Sequence, residues 1–121
     1  MNVEFFEEKT FYREASENGS VWTIHKDAHI VKIKDSEGNW STPYWSKRER
    51  AVRFINNVEG YSDFLPLEIP MHVFLKVWLP DMKKDNRTLG INWTGATTLG
   101  LEMTAEELLR KVELLEKREF T

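Results

Sequence analysis

The segment at residues 69–80 constrains the fold of this chain most, because it is apolar almost all round and is bounded by two prolines. Pro70 suits the first turn of a helix, where the missing N–H costs nothing. Pro80 cannot continue a helix and disfavours helical backbone at Leu79. The stretch between the prolines is about two and a half helical turns long. A helix that is apolar on every side is normally buried, so we predict that this segment is the central helix of a single core.

Length and composition indicate one domain without disulfides. The 121 residues are 40% hydrophobic and 12% aromatic, which is enough apolar material for one core. The net charge of −3 argues against nucleic acid as a partner, since phosphate binding depends on lysine and arginine. No apolar run approaches the roughly 20 residues that cross a bilayer. The acidic N-terminus is unlike a signal peptide, and the absence of cysteine fits a reducing compartment. We therefore expect one cytoplasmic domain over residues 1–121, with frayed ends at 1–2 and 118–121.

Periodicity predicts an α+β domain: a largely antiparallel sheet, made of a three-stranded meander and a C-terminal hairpin, packed by about four helices. A first helix ends near Gly19, and capping boxes at Ser46–Glu49 and Thr104–Glu107 open two more. Residues 81–87 read as a polar loop, and residues 67–69 as a short strand or an extended link. The predicted strands of the meander and hairpin are residues 21–25, 29–34, 40–45, 89–93 and 99–103.

Several stretches occur together in an order and spacing that resemble a small bacterial family, domain of unknown function 2750. The more specific pieces are the Trp-Leu-Pro run at residues 78–80 and the Asn-Trp pair at residues 92–93. The resemblance runs from the first helix to about Val112 and implies a compact bacterial α+β domain. It implies no reaction and no catalytic residues. The stretches that carry the resemblance are residues 17–22, 40–46, 67–82, 89–93 and 100–104.

One cluster of basic and aromatic residues is a candidate binding site for a partner or an anion. Cations at the start of a helix oppose its dipole at a cost of about 0.3–1 kcal/mol each, so they are candidates for a role in binding. Aromatic residues beside arginine are typical of protein interfaces. The structural alternative is a solvated helix face with the aromatic side chains in the core. The cluster consists of Trp40, Tyr44, Trp45, Lys47, Arg48, Arg50 and Arg53.

The histidines provide weaker candidates. His25, Asp27 and His29 would share one face of a straight strand and could ligate a metal. A turn at residues 26–28 would separate them, and we favour that interpretation. His72 could act as a general base, but it is accompanied by no nucleophile motif, so a capping or partly buried histidine is favoured. We therefore expect no metal, no cofactor and no catalytic residue.

Two functional hypotheses follow. In the first, the chain is a non-enzymatic cytoplasmic module that binds another protein, for example a toxin-neutralising immunity protein. In the second, it is a small-molecule-binding domain or a hydrolase with a pocket near Trp40, Trp45, Arg48 and Trp93. A concave pocket with convergent polar groups would favour the second hypothesis, and a flat aromatic patch the first.

Overall fold

The computed structural model describes residues 3–34, 37–94 and 100–119. Over these ranges it confirms the predicted α+β class, with four helices and two small sheets. Residues 71–84 are helical without a break and are called the central helix. In chain order the elements are α1 (Val3–Asn18), β1 (Ser20–Lys26), β2 (His29–Ile30), β3 (Ile33–Lys34), β4 (Trp40–Tyr44), α2 (Arg48–Asn57), β5 (Leu65–Pro70), α3 (Met71–Val73), the π-helical turn (Phe74–Trp78), α4 (Leu79–Lys84), β6 (Thr88–Ile91), β7 (Leu101–Thr104) and α5 (Ala105–Glu119).

The strands of the predicted meander are present, but they are divided between two sheets. One sheet has the order β2-β1-β5, and the other has the order β3-β4-β6-β7. The expected single strand at residues 29–34 breaks because the chain crosses between sheets at Val31. The Val31 N–H donates to the Ile24 carbonyl of the first sheet, while its own carbonyl accepts from Thr42 Oγ1 of the second. An antiparallel bridge between Trp22 and Trp45 joins the sheets a second time.

The predicted hairpin is formed by β6 and β7, which pair from Thr88↔Thr104 to Ile91↔Leu101. It joins the second sheet through β4, to which β6 runs parallel. Periodicity does not show this parallel contact, because it depends on a partner more than forty residues away in the chain. The turn of the hairpin, residues 95–99, lies outside the described residues, as do residues 35–36 and the termini 1–2 and 120–121.

The segment expected to be a short strand or link is a six-residue edge strand, β5, which pairs with β1 along its whole length. Pro66 and Pro70 lie opposite Ile24 and Ser20. Because proline has no N–H to offer a further strand, two prolines on one edge blunt it against pairing with another chain.

The expectation that Pro80 ends the central helix is wrong, and of the polar loop predicted at residues 81–87 only residues 85–87 lie outside the helix. Leu79 keeps helical angles (φ −65°, ψ −42°), and α4 continues to Lys84. Proline in a regular helix would collide with the carbonyl four residues earlier. Here the Leu79 N–H bonds to the Phe74 carbonyl, five residues back, and this wider turn accommodates the ring.

The central helix also has one buried face and one exposed face, contrary to the prediction that it is buried all round. Phe74, Leu79 and Met82 are buried, because the π-helical turn rotates the last two onto the same side as the first. Val77, on the other side, is 52% exposed. The helix therefore covers the core from outside.

The core has two parts, and Trp93 makes several of the contacts that hold the second part together. Phe74, Leu79 and Leu108 belong to the first part, whereas Trp45 and Trp93 belong to the second. Trp45 Nε1 donates to the Trp93 carbonyl at 2.8 Å, and Trp93 Nε1 donates to the Leu101 carbonyl at 3.0 Å. The Trp93 ring lies against the backbone of Gly90, where a Cβ atom would overlap its six-membered ring.

We predict that Gly90→Ala lowers the free energy of unfolding by about 1–3 kcal/mol, because the added methyl group must displace a buried ring. Urea denaturation followed by tryptophan fluorescence measures the change. The same substitution is then made in the Trp93→Phe variant. Because the smaller ring leaves room for the methyl group, Gly90→Ala should destabilise that variant less than it destabilises the wild type. An equal cost in both backgrounds would show that this contact does not set the identity of residue 90.

Candidate functional site

Four polar residues from distant parts of the chain form a cluster, called the Glu14 cluster: the buried Glu14, Ser46 and Asn92, and the half-buried Arg50. Glu14 is only 6% exposed, yet it carries a carboxylate. Arg50 Nε donates to its Oε1 at 2.7 Å, and the second guanidinium nitrogen donates to its Oε2 at 2.9 Å. Ser46 Oγ donates to Oε1 at 2.6 Å. These bonds compensate for the burial of the charge.

The chain reaches this geometry through an unusual backbone at Asn92. Its φ of 50° lies in the left-handed region, which asparagine tolerates better than most residues. In this conformation its N–H donates to the Tyr44 carbonyl at 2.9 Å, and its Oδ1 accepts the Ser46 N–H at 3.0 Å. Asn92, which directly follows β6, thus holds the segment between β4 and α2 in place by these two hydrogen bonds.

The capping box predicted at Ser46–Glu49 is wrong, because the Ser46 side chain is bound in the Glu14 cluster. The N-cap of α2 is Lys47, which makes no side-chain capping bond. The second predicted box is confirmed in its capping bond, in which the Glu107 N–H donates to Thr104 Oγ1 at 3.0 Å, while Glu107 Oε1 accepts from the Thr104 hydroxyl at 3.1 Å.

The environment of Glu14 stabilises its charged form. The Arg50 hydrogen bond lowers the pKa of Glu14 from its ordinary value of 4.5 to about 2, and Ser46 and Lys47 add to this effect although burial opposes it. The same bond raises the pKa of Arg50. A general base works best with a pKa near the operating pH. The arrangement therefore suits holding a charge in place better than moving a proton.

The structure separates the aromatic members of the predicted binding cluster from its cations. Tyr44 and Trp45 are fully buried, and so is Trp93 of the alternative pocket. Trp40 is 48% exposed, but it lies at the other end of β4, where the Lys34 ammonium is 5.2 Å from its ring centroid.

The cations of that cluster divide between two roles. Arg50 is bound to Glu14, and Lys47 Nζ lies 3.6 Å from Glu14 Oε2 with 45% of its side chain exposed. Arg48 and Arg53 are exposed. The exposed cations Lys47, at the N-cap of α2, Arg48, in its first turn, and Arg53, in its second half, are together called the α2 face.

The histidine candidates lie apart from both features. Asp27 occupies the turn between β1 and β2 with a φ of 55°, so it does not share a strand face with His25 and His29. The Asp27 carbonyl is 3.0 Å from His25 Nδ1. His72 is exposed in the first turn of the central helix. Within the described ranges, no three His, Asp or Glu side chains are grouped so as to hold a metal ion.

The sequence contained only part of the signal for the Glu14 cluster. Ser46 and Asn92 each lie in a stretch that carries the family resemblance, and Asn92 precedes a tryptophan that is now seen in the core. Glu14 lies among other charged residues of α1 with no distinguishing pattern. Its position opposite Arg50 depends on the packing of two helices.

A family model described as a protein of unknown function (DUF2750) matches residues 8–112. No curated protein matches the chain. Among the residues that the structure describes, no helix has the length and hydropathy that a membrane span requires.

We predict that Glu14→Gln lowers the free energy of unfolding by about 2–3 kcal/mol, because a hydrogen bond to a charged group contributes about 1.5–3 kcal/mol and Arg50 loses its carboxylate. Glu17→Gln, an exposed change on the same helix, is the control and should alter stability by less than about 0.5 kcal/mol. Chemical denaturation at pH 7 compares the two. Equal effects would mean that the buried ion pair does not stabilise the fold.

The lowered pKa of Glu14 also predicts a pH dependence. A carboxyl group whose pKa falls on folding stabilises the native state above its unfolded pKa, and this stabilisation is lost as the pH drops through the folded value. Wild-type stability should therefore decrease between about pH 5 and pH 2 more steeply than that of Glu14→Gln. Urea midpoints measured at several pH values in this window test the difference, and parallel curves would contradict it.

Proposed function

We propose that this chain, which belongs to the family of proteins of unknown function DUF2750, is a non-enzymatic module that binds another protein through its α2 face. The partner would present an acidic surface to Lys47, Arg48 and Arg53. A toxin-neutralising immunity protein is one form of this function, in which the acidic surface belongs to the toxin. We expect the module to act in the cytoplasm, since a sequence without cysteine suits a reducing compartment.

The observation that supports this proposal is the exposure of Lys47 and Arg48 at the N-terminus of α2, with the exposed Arg53 farther along the same helix. Positive side chains there oppose the helix dipole, and Glu49 is the acidic residue of the first turn. Lys47 occupies the N-cap position, where serine, threonine, aspartate or asparagine would stabilise the helix better. Exposed cations that destabilise the N-terminus of their own helix are explained if they bind a negatively charged surface of another protein.

The Glu14 cluster and the edge of β5 support the same proposal from two other directions. The ionised carboxylate of Glu14 is bonded to Arg50 and Ser46, which is a structural arrangement. The prolines of β5 disfavour recognition by addition of a strand. At this edge of the first sheet, recognition through side chains is therefore favoured over addition of a strand.

The alternative, a small-molecule-binding domain or a hydrolase, was predicted with a pocket near Trp40, Trp45, Arg48 and Trp93. Trp45 and Trp93 are packed in the core and do not line an opening. The Trp45 indole N–H donates to the Trp93 carbonyl. A ligand site would therefore need other residues.

The double substitution Arg48→Glu, Arg53→Glu should abolish partner binding, because it reverses the charge of the α2 face. The control is Lys83→Glu, Lys84→Glu, which makes the same charge change at exposed positions near the end of α4. Tagged wild-type protein and both variants are used as bait in lysate of the source organism, and captured proteins are quantified by mass spectrometry.

We expect an acidic protein that is captured by wild type and by the α4 control but is depleted at least about tenfold with the α2 variant, a loss of about 1.4 kcal/mol or more. The depletion should weaken with salt, as the Debye length shortens. Equal capture by all three baits, or no protein above background, would overturn the proposal.

A further inference from the structure

A crevice of about 350 Å³ lies between α1, the central helix and α5. Its floor is formed by the buried side chains of Phe11, Phe74 and Leu108, and its walls include the half-buried Leu75 and Val112. Protein interiors are close-packed, with few voids larger than a water molecule. The crevice opens to solvent beside the exposed Ser16, so it is an accessible apolar cleft and not a void in the interior.

Small residues at and just after the C-terminal end of α1 form part of one wall of the crevice, beside Phe11 and Tyr12 of the same helix. Ala15 and Gly19 line it one helical turn apart, and a Cβ atom at Gly19 would meet nothing within 4 Å. Gly19 has a φ of 70°, and its N–H donates to the Ala15 carbonyl as the chain leaves the helix. Its carbonyl accepts the Met71 N–H at 3.0 Å, which ties the end of α1 to the start of the central helix. Two of the walls are thus held at a fixed separation.

The chemistry of the walls defines what can enter. Among the described residues that line the crevice, none carries a charge, and the side-chain hydroxyls are those of Tyr12 and Ser16. Tyr12 already donates to Glu8 Oε1 at 3.0 Å, whereas Ser16 is exposed at the mouth. Burying a charged group against such walls without a partner would be costly.

A second cleft shows the contrast. It has a volume of about 570 Å³ and lies between the β1–β2 turn and the loop after α2. Its lining includes Lys26, Asp27, His29, Lys32 and Glu59. Charges of both signs in a more open cleft define no single class of ligand. The crevice beside α1, in contrast, is lined mainly by apolar side chains.

We propose that the crevice beside α1 binds a small, uncharged, mainly apolar organic molecule, with a polar group of that molecule at the Ser16 hydroxyl. Its volume falls within the roughly 300–1,000 Å³ typical of ligand sites, and its apolar lining with one polar group at the mouth matches their usual composition. A protein partner would instead need about 800 Å² of complementary surface. The α2 face contributes no lining residue, so this site is separate from the proposed protein contact.

The test uses indole as the neutral probe and indole-3-carboxylate as its charged counterpart, with methyl NMR spectra of the full chain as the readout. Indole should produce saturable shifts at Leu75, Leu108 and Val112, and the carboxylate should bind at least about tenfold more weakly because its charge would be desolvated. The variant Ser16→Trp places a large side chain at the mouth and should abolish the shifts. Glu17→Trp, at the next exposed position on α1, is the control and should retain them.

Three results would overturn the proposal: no saturable shift with indole, equal binding of both probes, or equal binding in Ser16→Trp and wild type. Circular dichroism of both variants verifies that α1 is intact. The outcome is independent of the capture experiment, since neither tryptophan variant changes Lys47, Arg48 or Arg53.

Discussion

The bidentate ion pair between Glu14 and Arg50 is the interaction on which the arrangement of the helices depends. It joins α1 to α2, and through Ser46 and Asn92 the same carboxylate is connected to the ends of β4 and β6. Apolar packing is not directional, so it could accept several rotations of α1 over the sheet. A buried carboxylate is stable only where its donors meet it. This requirement fixes which face of α1 turns towards α2.

The parallel pairing of β4 and β6 brings together two of the stretches that carry the family resemblance, one of which includes the specific Asn-Trp pair. Residues 40–46 and 89–93 lie side by side in the fold, with Thr42 opposite Leu89 and Tyr44 opposite Ile91. Gly90 leaves room for the Trp93 ring, and Trp93 accepts the Trp45 indole N–H through its carbonyl. These residues build the framework, so their specificity within the family pattern is accounted for by packing.

Local signals predicted local structure well and failed where a distant residue competes. Thr104 and Ser46 begin the same four-residue pattern, yet only Thr104 caps its helix, because Ser46 bonds to Glu14 and Asn92, 32 and 46 positions away. Pro80 was expected to end a helix, since the rule assumes a regular turn that the π-helical turn replaces. The predicted basic-aromatic cluster divided because β4 is extended: Trp40 begins the strand, whereas Lys47 lies beyond its other end, at the N-cap of α2.

Of the two proposed binding surfaces, the α2 face could be predicted from the sequence and the crevice beside α1 could not. Lys47, Arg48 and Arg53 lie within seven consecutive residues and were proposed from the sequence together with Arg50, which belongs instead to the ion pair. The crevice is lined by residues such as Ala15 and Val112 that carry no chemical signal and meet only after folding. Ala15 lies next to Glu14 on α1, so one helix forms a wall of the crevice and also positions Arg50 on α2. The crevice and the α2 face thus share no residue, and what links them is the ion pair by which α1 holds α2.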